Sequence, residues 1–206
     1  MNDRVEKSIA SELKLQATIL CGFIAIFWVV EICDRVIFGG SLDRYGIQPH
    51  TLIGLRGILF APFLHGNFAH LIANTIPFLI LGWLVMLQET SDFWLVTAVT
   101  MLIGGLGTWF FGGSAIHIGA SSLIYGYLGF LLLRGYFERN FVSIFLSVVV
   151  FFFYRSIIWG VLPSDPRISW QGHLFGFIGG ILAARLIGRR KRERRNVDDY
   201  LKRSGY

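Results

Sequence analysis

Long apolar blocks alternate with short polar turns along this chain, and the blocks have the length of bilayer-crossing helices, about 20 residues each. The first covers residues 15–38 and carries Glu31, Asp34 and Arg35 near its far end, where charges are expected to pair with one another. Residues 39–66 form a long connection holding Arg44 and Arg56; its apolar stretch, 58–64, is too short to span and reads as a loop lying in or against the membrane surface. The second block covers 68–88 and ends at the turn Glu89-Thr90-Ser91-Asp92. No Lys, Arg, Asp or Glu occurs from Phe93 to Leu133, a run that two crossings would nearly fill. The turn between them, 111–114, and the approach 115–119 must then sit at membrane depth. Irregular backbone is tolerated there only when buried in protein or lining a wet cavity, which is the first hint of a site. The fourth block, 119–133, is short and is followed by a polar turn with Arg134, Glu138 and Arg139. A fifth block covers 141–161, a loop 162–169, and a sixth block 170–188. The pattern predicts an all-α polytopic membrane protein, a six-helix bundle over 15–188 between a polar N-terminal segment, 1–14, and a basic tail, 189–206.

Composition agrees. The chain is 54% hydrophobic and only 16% charged, with a mean hydropathy of +0.59, against about 25% charged in soluble domains. A soluble enzyme, a disordered chain and a nucleic-acid binder are all poor fits; the lipid bilayer is the expected surroundings. Eight basic residues lie from Arg189 onward against three acids, so the tail holds five of the six net positive charges. Directly after an apolar span, such a tail marks the cytoplasmic side. Six spans put both termini there, and Lys14, Arg134 and Arg139 agree. Cys21 and Cys33 lie about 18 Å apart on one helix, beyond the roughly 7 Å limit for a disulfide, and read as buried small hydrophobes. The first residues show no small-residue cleavage site after the apolar run, so no removable signal peptide is expected.

In this topology spans two, four and six all start at the outer face. Span two opens with His65, His70 and Asn74, span four with Gly119-Ala120-Ser121-Ser122, and span six with Gly172-His173. Each group sits near a helix N-terminus, where free amides favour developing negative charge. A nucleophile, a base and hydrogen-bond donors around one wet pocket are what acyl transfer needs. Taken singly, these residues have plainer readings. A lone intramembrane Ser bonds its own backbone, and Asn74 serves as an interhelical clamp. Gly172, Gly176, Gly180 and Ser122, Gly126, Gly129 are small-residue packing surfaces joining spans six and four. That packing would carry His173 to within hydrogen-bond reach of Ser121, and Tyr125, four residues on, can lie against the same histidine. Metal ligation by the histidines is disfavoured, since no carboxylate or Cys stands near them in sequence. His50 and His117, in loops, carry no signal.

The motifs His65-xxxx-His70-xxx-Asn74, Gly119-Ala120-Ser121-Ser122 and His173-xx-Gly176-xxx-Gly180 together resemble those of the rhomboid intramembrane serine proteases. The resemblance implies a catalytic dyad of Ser121 as nucleophile and His173 as general base, with no cofactor. It implies oxyanion donors in His70, Asn74 and the Ser121 amide. Tyr125 matches the aromatic packed on the base, His65 a structural histidine, and Gly119 and Gly176 the supporting glycines. The connection 39–66 would lie sideways in the outer leaflet, and the fifth span with the loop 162–169 would gate and cap the site. Leu55-Arg56 stands nearest to the family's usual Trp-Arg pair, and Ser122 where many members have Gly. The implied partners are transmembrane protein substrates cut near the outer face, in a bacterial inner membrane. The alternatives are a catalytically silent relative that binds transmembrane clients, or a small transporter, for which the sequence lacks an internal repeat.

Overall fold

The computed structural model of the chain describes residues 3–163 and 168–204. Its helices in order are α1 (Asp3–Val36), the single turn α2 (Gly57–Phe60), α3 (Phe68–Met86), α4 (Thr90–Phe111), α5 (Ser121–Glu138), α6 (Phe141–Tyr154) and α7 (Trp170–Ser204). Three of the six long helices, α1, α3 and α4, have the length and apolarity to cross a membrane outright, and α6 is a shorter apolar helix. The all-α polytopic bundle expected from the sequence is the architecture observed.

Boundaries differ where local chemistry decides them. α1 begins well before the apolar block because nothing in its first turns breaks a helix; at the start of the block, Gln16 donates to the Met86 carbonyl and Thr90 Oγ1 at 3.2 and 3.0 Å. α3 is capped by Asn67, whose Oδ1 accepts the His70 amide at 2.8 Å. α5 cannot start at Gly119, which lies at φ +115°, so it starts two residues later. The expected fifth span is α-helical over its first two thirds only: α6 stops at Tyr154, and a 3₁₀ turn, Ile157–Val161, follows. α7 does not end at the apolar block but continues as helix to Ser204. Of the loop expected to cap the site, residues 164–167 lie outside the described residues.

The core is aromatic. Phe27, Phe78, Phe93 and Tyr127 are fully buried where α1, α3, α4 and α5 meet, with ring centroids 5.1–6.5 Å apart, a spacing at which edge-to-face and tilted pairs are favourable. α5 and α7 pack most closely. A Cβ on Gly176 would stand 3.0 Å from the Ser122 carbonyl carbon, and one on Gly180 only 2.7 Å from that of Gly126. The small-residue packing expected between these two helices is therefore present, except that Gly172 faces Ser169 and Thr108 rather than α5. Cys21 is exposed and Cys33 half-buried; the expectation of two buried cysteines fails because α1 packs on the bundle along one side only.

Charge is concentrated at the two ends of the bundle. Beside the first loop, Arg35 binds Glu31 at 2.8 Å and Asp43 at 3.0 Å, and donates to the His65 carbonyl at 2.9 Å, which is the pairing anticipated for that cluster. At the other end, Arg134 and Glu138 do not form a polar surface turn. Both are fully buried, because Arg134 binds Asp92 at 2.9 Å and Glu138 at 3.0 Å, and Lys191 reaches back from the extended α7 to Asp92 at 3.0 Å and Glu138 at 3.3 Å. Buried charges persist only when matched in this way.

Candidate active site

The three polar motifs converge at the end of the bundle where α3, α5 and α7 begin. There a cavity of about 690 Å³ is lined by His70, Asn74, Ser121 and His173, together with the loop residues Gly113–Ile118 and the start of α7. The irregular segment between α4 and α5 thus lines a cavity.

Each side chain has a local reason for its place. His70 and Asn74 are one turn apart on α3 and share a face. The positive φ of Gly119 and its lack of a side chain let the segment before α5 press against them. A Cβ there would be 2.6 Å from His70 Cε1 and 3.5 Å from Asn74 Nδ2. The Gly119 amide donates to the Ala61 carbonyl at 2.9 Å, tying the segment to the first loop. Ser121 is the first residue of α5, so its amide has no partner within the helix. His173 sits one turn into α7, beside the seam where Gly176 meets Ser122.

The imidazole of His173 is fixed on two sides. Its Nδ1 lies 2.9 Å from the Gly160 carbonyl, which only accepts, so Nδ1 carries the proton and Nε2 of the neutral ring keeps its lone pair. Tyr125 stacks on the ring with centroids 4.1 Å apart and planes 13° from parallel, and its hydroxyl donates to the Ile157 carbonyl at 2.8 Å. Ser121 and His173 share the cavity, but no hydrogen bond joins them among the described residues. Such bonds are often long in an unliganded site and tighten on substrate. Asn74 Nδ2 is buried with no partner among the described residues, a donor left open beside the start of α5. His65 is fully buried and packs edge-on to His70, centroids 5.2 Å apart, and against Phe27 at 5.6 Å.

Residues 54–190 match the family model described as the Rhomboid domain. The chain belongs to the rhomboid family. A Mycobacterium bovis protein, uncharacterized, is 42% identical over 198 residues, covering 92% of this chain and 82% of that one. Another, from Mycobacterium leprae, is 43% identical over 186 residues, covering 86% and 73%. YdcA of Bacillus subtilis, provisionally named a rhomboid protease, is 30% identical over 135 residues, covering 64% and 66%.

Two residues of this rhomboid site had no sequence signal. Gly160 contributes only a backbone carbonyl, and only because the chain leaves α6 in a 3₁₀ turn. His117 lines the cavity. Its backbone exchanges two hydrogen bonds of 2.9 Å with Ile47 of the first loop, and its Nδ1 lies 2.6 Å from Ser169 Oγ. Burial pushes the His117 pKa below its usual value. It joins the segment carrying Ser121 to both flanking loops.

Proposed function

We propose that this rhomboid is an intramembrane serine endopeptidase in which His173 Nε2 takes the Ser121 proton and Ser121 Oγ attacks the scissile carbonyl. His70, Asn74 and the Ser121 amide stabilise the resulting oxyanion, and His173 then protonates the leaving amine. The observation that carries this reading is the joint placement of Ser121, His173, His70 and Asn74 around one cavity, with the base held in the required tautomer. A second pocket of about 20 Å³ behind Ser121, lined by Thr108, His117, Ser122 and Ser169, has room for one water and supports hydrolysis of the acyl-enzyme. The substrates are transmembrane segments of other proteins, whose helix must open before a carbonyl is accessible. The basic end of α7 orients both termini to the cytoplasm, so that cutting occurs near the outer face.

Covalent labelling by a fluorophosphonate tests this. Wild type and Ser122→Ala are expected to label, whereas Ser121→Ala and His173→Ala lose labelling. Failure of the wild type beside a labelling rhomboid control overturns the peptidase reading in favour of one that binds transmembrane clients without cutting them.

A further inference from the structure

The first loop carries a cationic pair that the cavity does not use. Arg44 and Arg56 both lie against the ring of Tyr45, their guanidinium carbons 5.4 and 4.3 Å from its centroid. Arg56 Nη2 donates to the Arg44 carbonyl at 3.1 Å, while Arg56 Nε is buried without a partner among the described residues. Among the described residues neither arginine meets a carboxylate, although Arg35 nearby meets two, Glu31 and Asp43. Cation–π attraction helps hold each guanidinium to the ring, but two like charges gathered on one tyrosine still repel. An anion bridging them would turn that repulsion into attraction, and the planar guanidinium fork suits a phosphate.

The surroundings indicate which phosphate. The same loop turns large apolar side chains outward: Leu52 is 85% exposed, Leu59 59% and Phe60 45%, and Phe60 packs edge-on to Tyr45 at 6.3 Å. Apolar side chains flanking arginines and a tyrosine are the arrangement of an interfacial segment, with acyl chains covering the former and headgroups meeting the latter. We propose that Arg44 and Arg56, stacked on Tyr45, clamp the phosphate of an anionic phospholipid. Tyr45, on which both arginines rest, stands two residues from Ile47, which is bonded to His117, so a bound lipid fastens the loop that borders the cavity. Lipid binding itself does not depend on the peptidase reading.

The test is native mass spectrometry of the full chain in detergent, titrated separately with phosphatidylglycerol, phosphatidylcholine and inorganic phosphate. Arg44→Gln, Arg56→Gln and Arg56→Lys are compared with a control, Arg190→Gln/Arg194→Gln, in the other basic surface at the end of α7. Phosphatidylglycerol is expected to be retained by the wild type and the control. It should bind about tenfold or more weakly when either loop arginine becomes Gln, as loss of a charge-assisted hydrogen bond predicts, with partial recovery in Arg56→Lys. Arg44 is exposed, so its variant keeps the test open if Arg56→Gln fails to fold. The proposal is overturned if both Gln variants bind like the wild type, if only the α7 control loses binding, if phosphatidylcholine binds equally, or if inorganic phosphate alone occupies the site as well as the lipid does.

Discussion

Replacing Gly160 with Ala is the sharpest perturbation of how His173, the proposed base, is held. A Cβ built on Gly160 overlaps the Tyr125 hydroxyl outright, lies 2.9 Å from Tyr125 Cζ and reaches 3.4 Å from His173 Nδ1. Ordinary carbon contacts sit at about 3.5–4.0 Å, so the turn or the tyrosine must retreat by about 1 Å. Either movement costs geometry. A retreating tyrosine slides along the stacked imidazole and loses its bond to Ile157, while a retreating turn takes the Gly160 carbonyl away from Nδ1. A misplacement of about 1 Å in a catalytic group is worth about 10²-fold in rate, or about 2.7 kcal/mol of barrier. The overpacking itself costs about 1–3 kcal/mol of stability. The assay is the second-order rate of fluorophosphonate labelling, normalised to folded protein, with His173→Ala as the floor. Tyr125→Phe removes the overlapping oxygen, so Gly160→Ala should cost less in that background, a non-additivity read from the double-mutant cycle. Labelling of Gly160→Ala within about twofold of wild type, with an unchanged unfolding midpoint, would refute the reasoning.

Other outcomes follow from the same geometry. Asn74→Ala should lower acylation by about 10²-fold or more without destabilising the fold, because Nδ2 has no partner to lose; a variant that melts earlier but still labels normally would make Asn74 a structural clamp. Arg134→Ala leaves Lys191 as the one cation paired with Asp92 and Glu138 among the described residues and should cost about 3–5 kcal/mol in denaturant unfolding, whereas Arg190→Ala, at the surface, stays within about 0.5 kcal/mol; equal effects would contradict the buried network. For His117, whose usual value of 6.5 is lowered by burial, the neutral ring is the folded form. Its stabilisation is complete above the unfolded value and is lost as pH falls through about 6.5 toward the folded one. Unfolding midpoints of wild type and His117→Gln should therefore converge on acidification, and parallel curves would argue against that linkage.

The side chains of the candidate site were legible in the sequence where they recur at helical spacing. His70 and Asn74 at i and i+4, the segment before Ser121, and the glycines that bring α7 onto α5 are all local patterns, and local patterns survive folding. What stayed hidden was contributed by backbone or by distant partners. Gly160 acts through a carbonyl, which every residue possesses, and its position depends on α6 ending early at Tyr154. The same hydrophobicity that suggested a long fifth span concealed that ending, since apolar composition does not distinguish a helix from the 3₁₀ turn after it. Arg134 and Glu138 read as a surface turn because charge near the end of an apolar block ordinarily meets water. Their burial became intelligible only once α7 was seen to continue as helix and bring Lys191 back across the bundle.

That continuity has a mechanical side. α7 is unbroken over 35 residues, which at 1.5 Å per residue makes a rod about 52 Å long. His173 rides near one end, the exposed basic stretch occupies the other, and the grip of Asp92 and Glu138 on Lys191 falls between them. One continuous helix therefore joins the exposed basic stretch to the imidazole, and the ion pairs of Lys191 anchor it to α4 and α5 on the way.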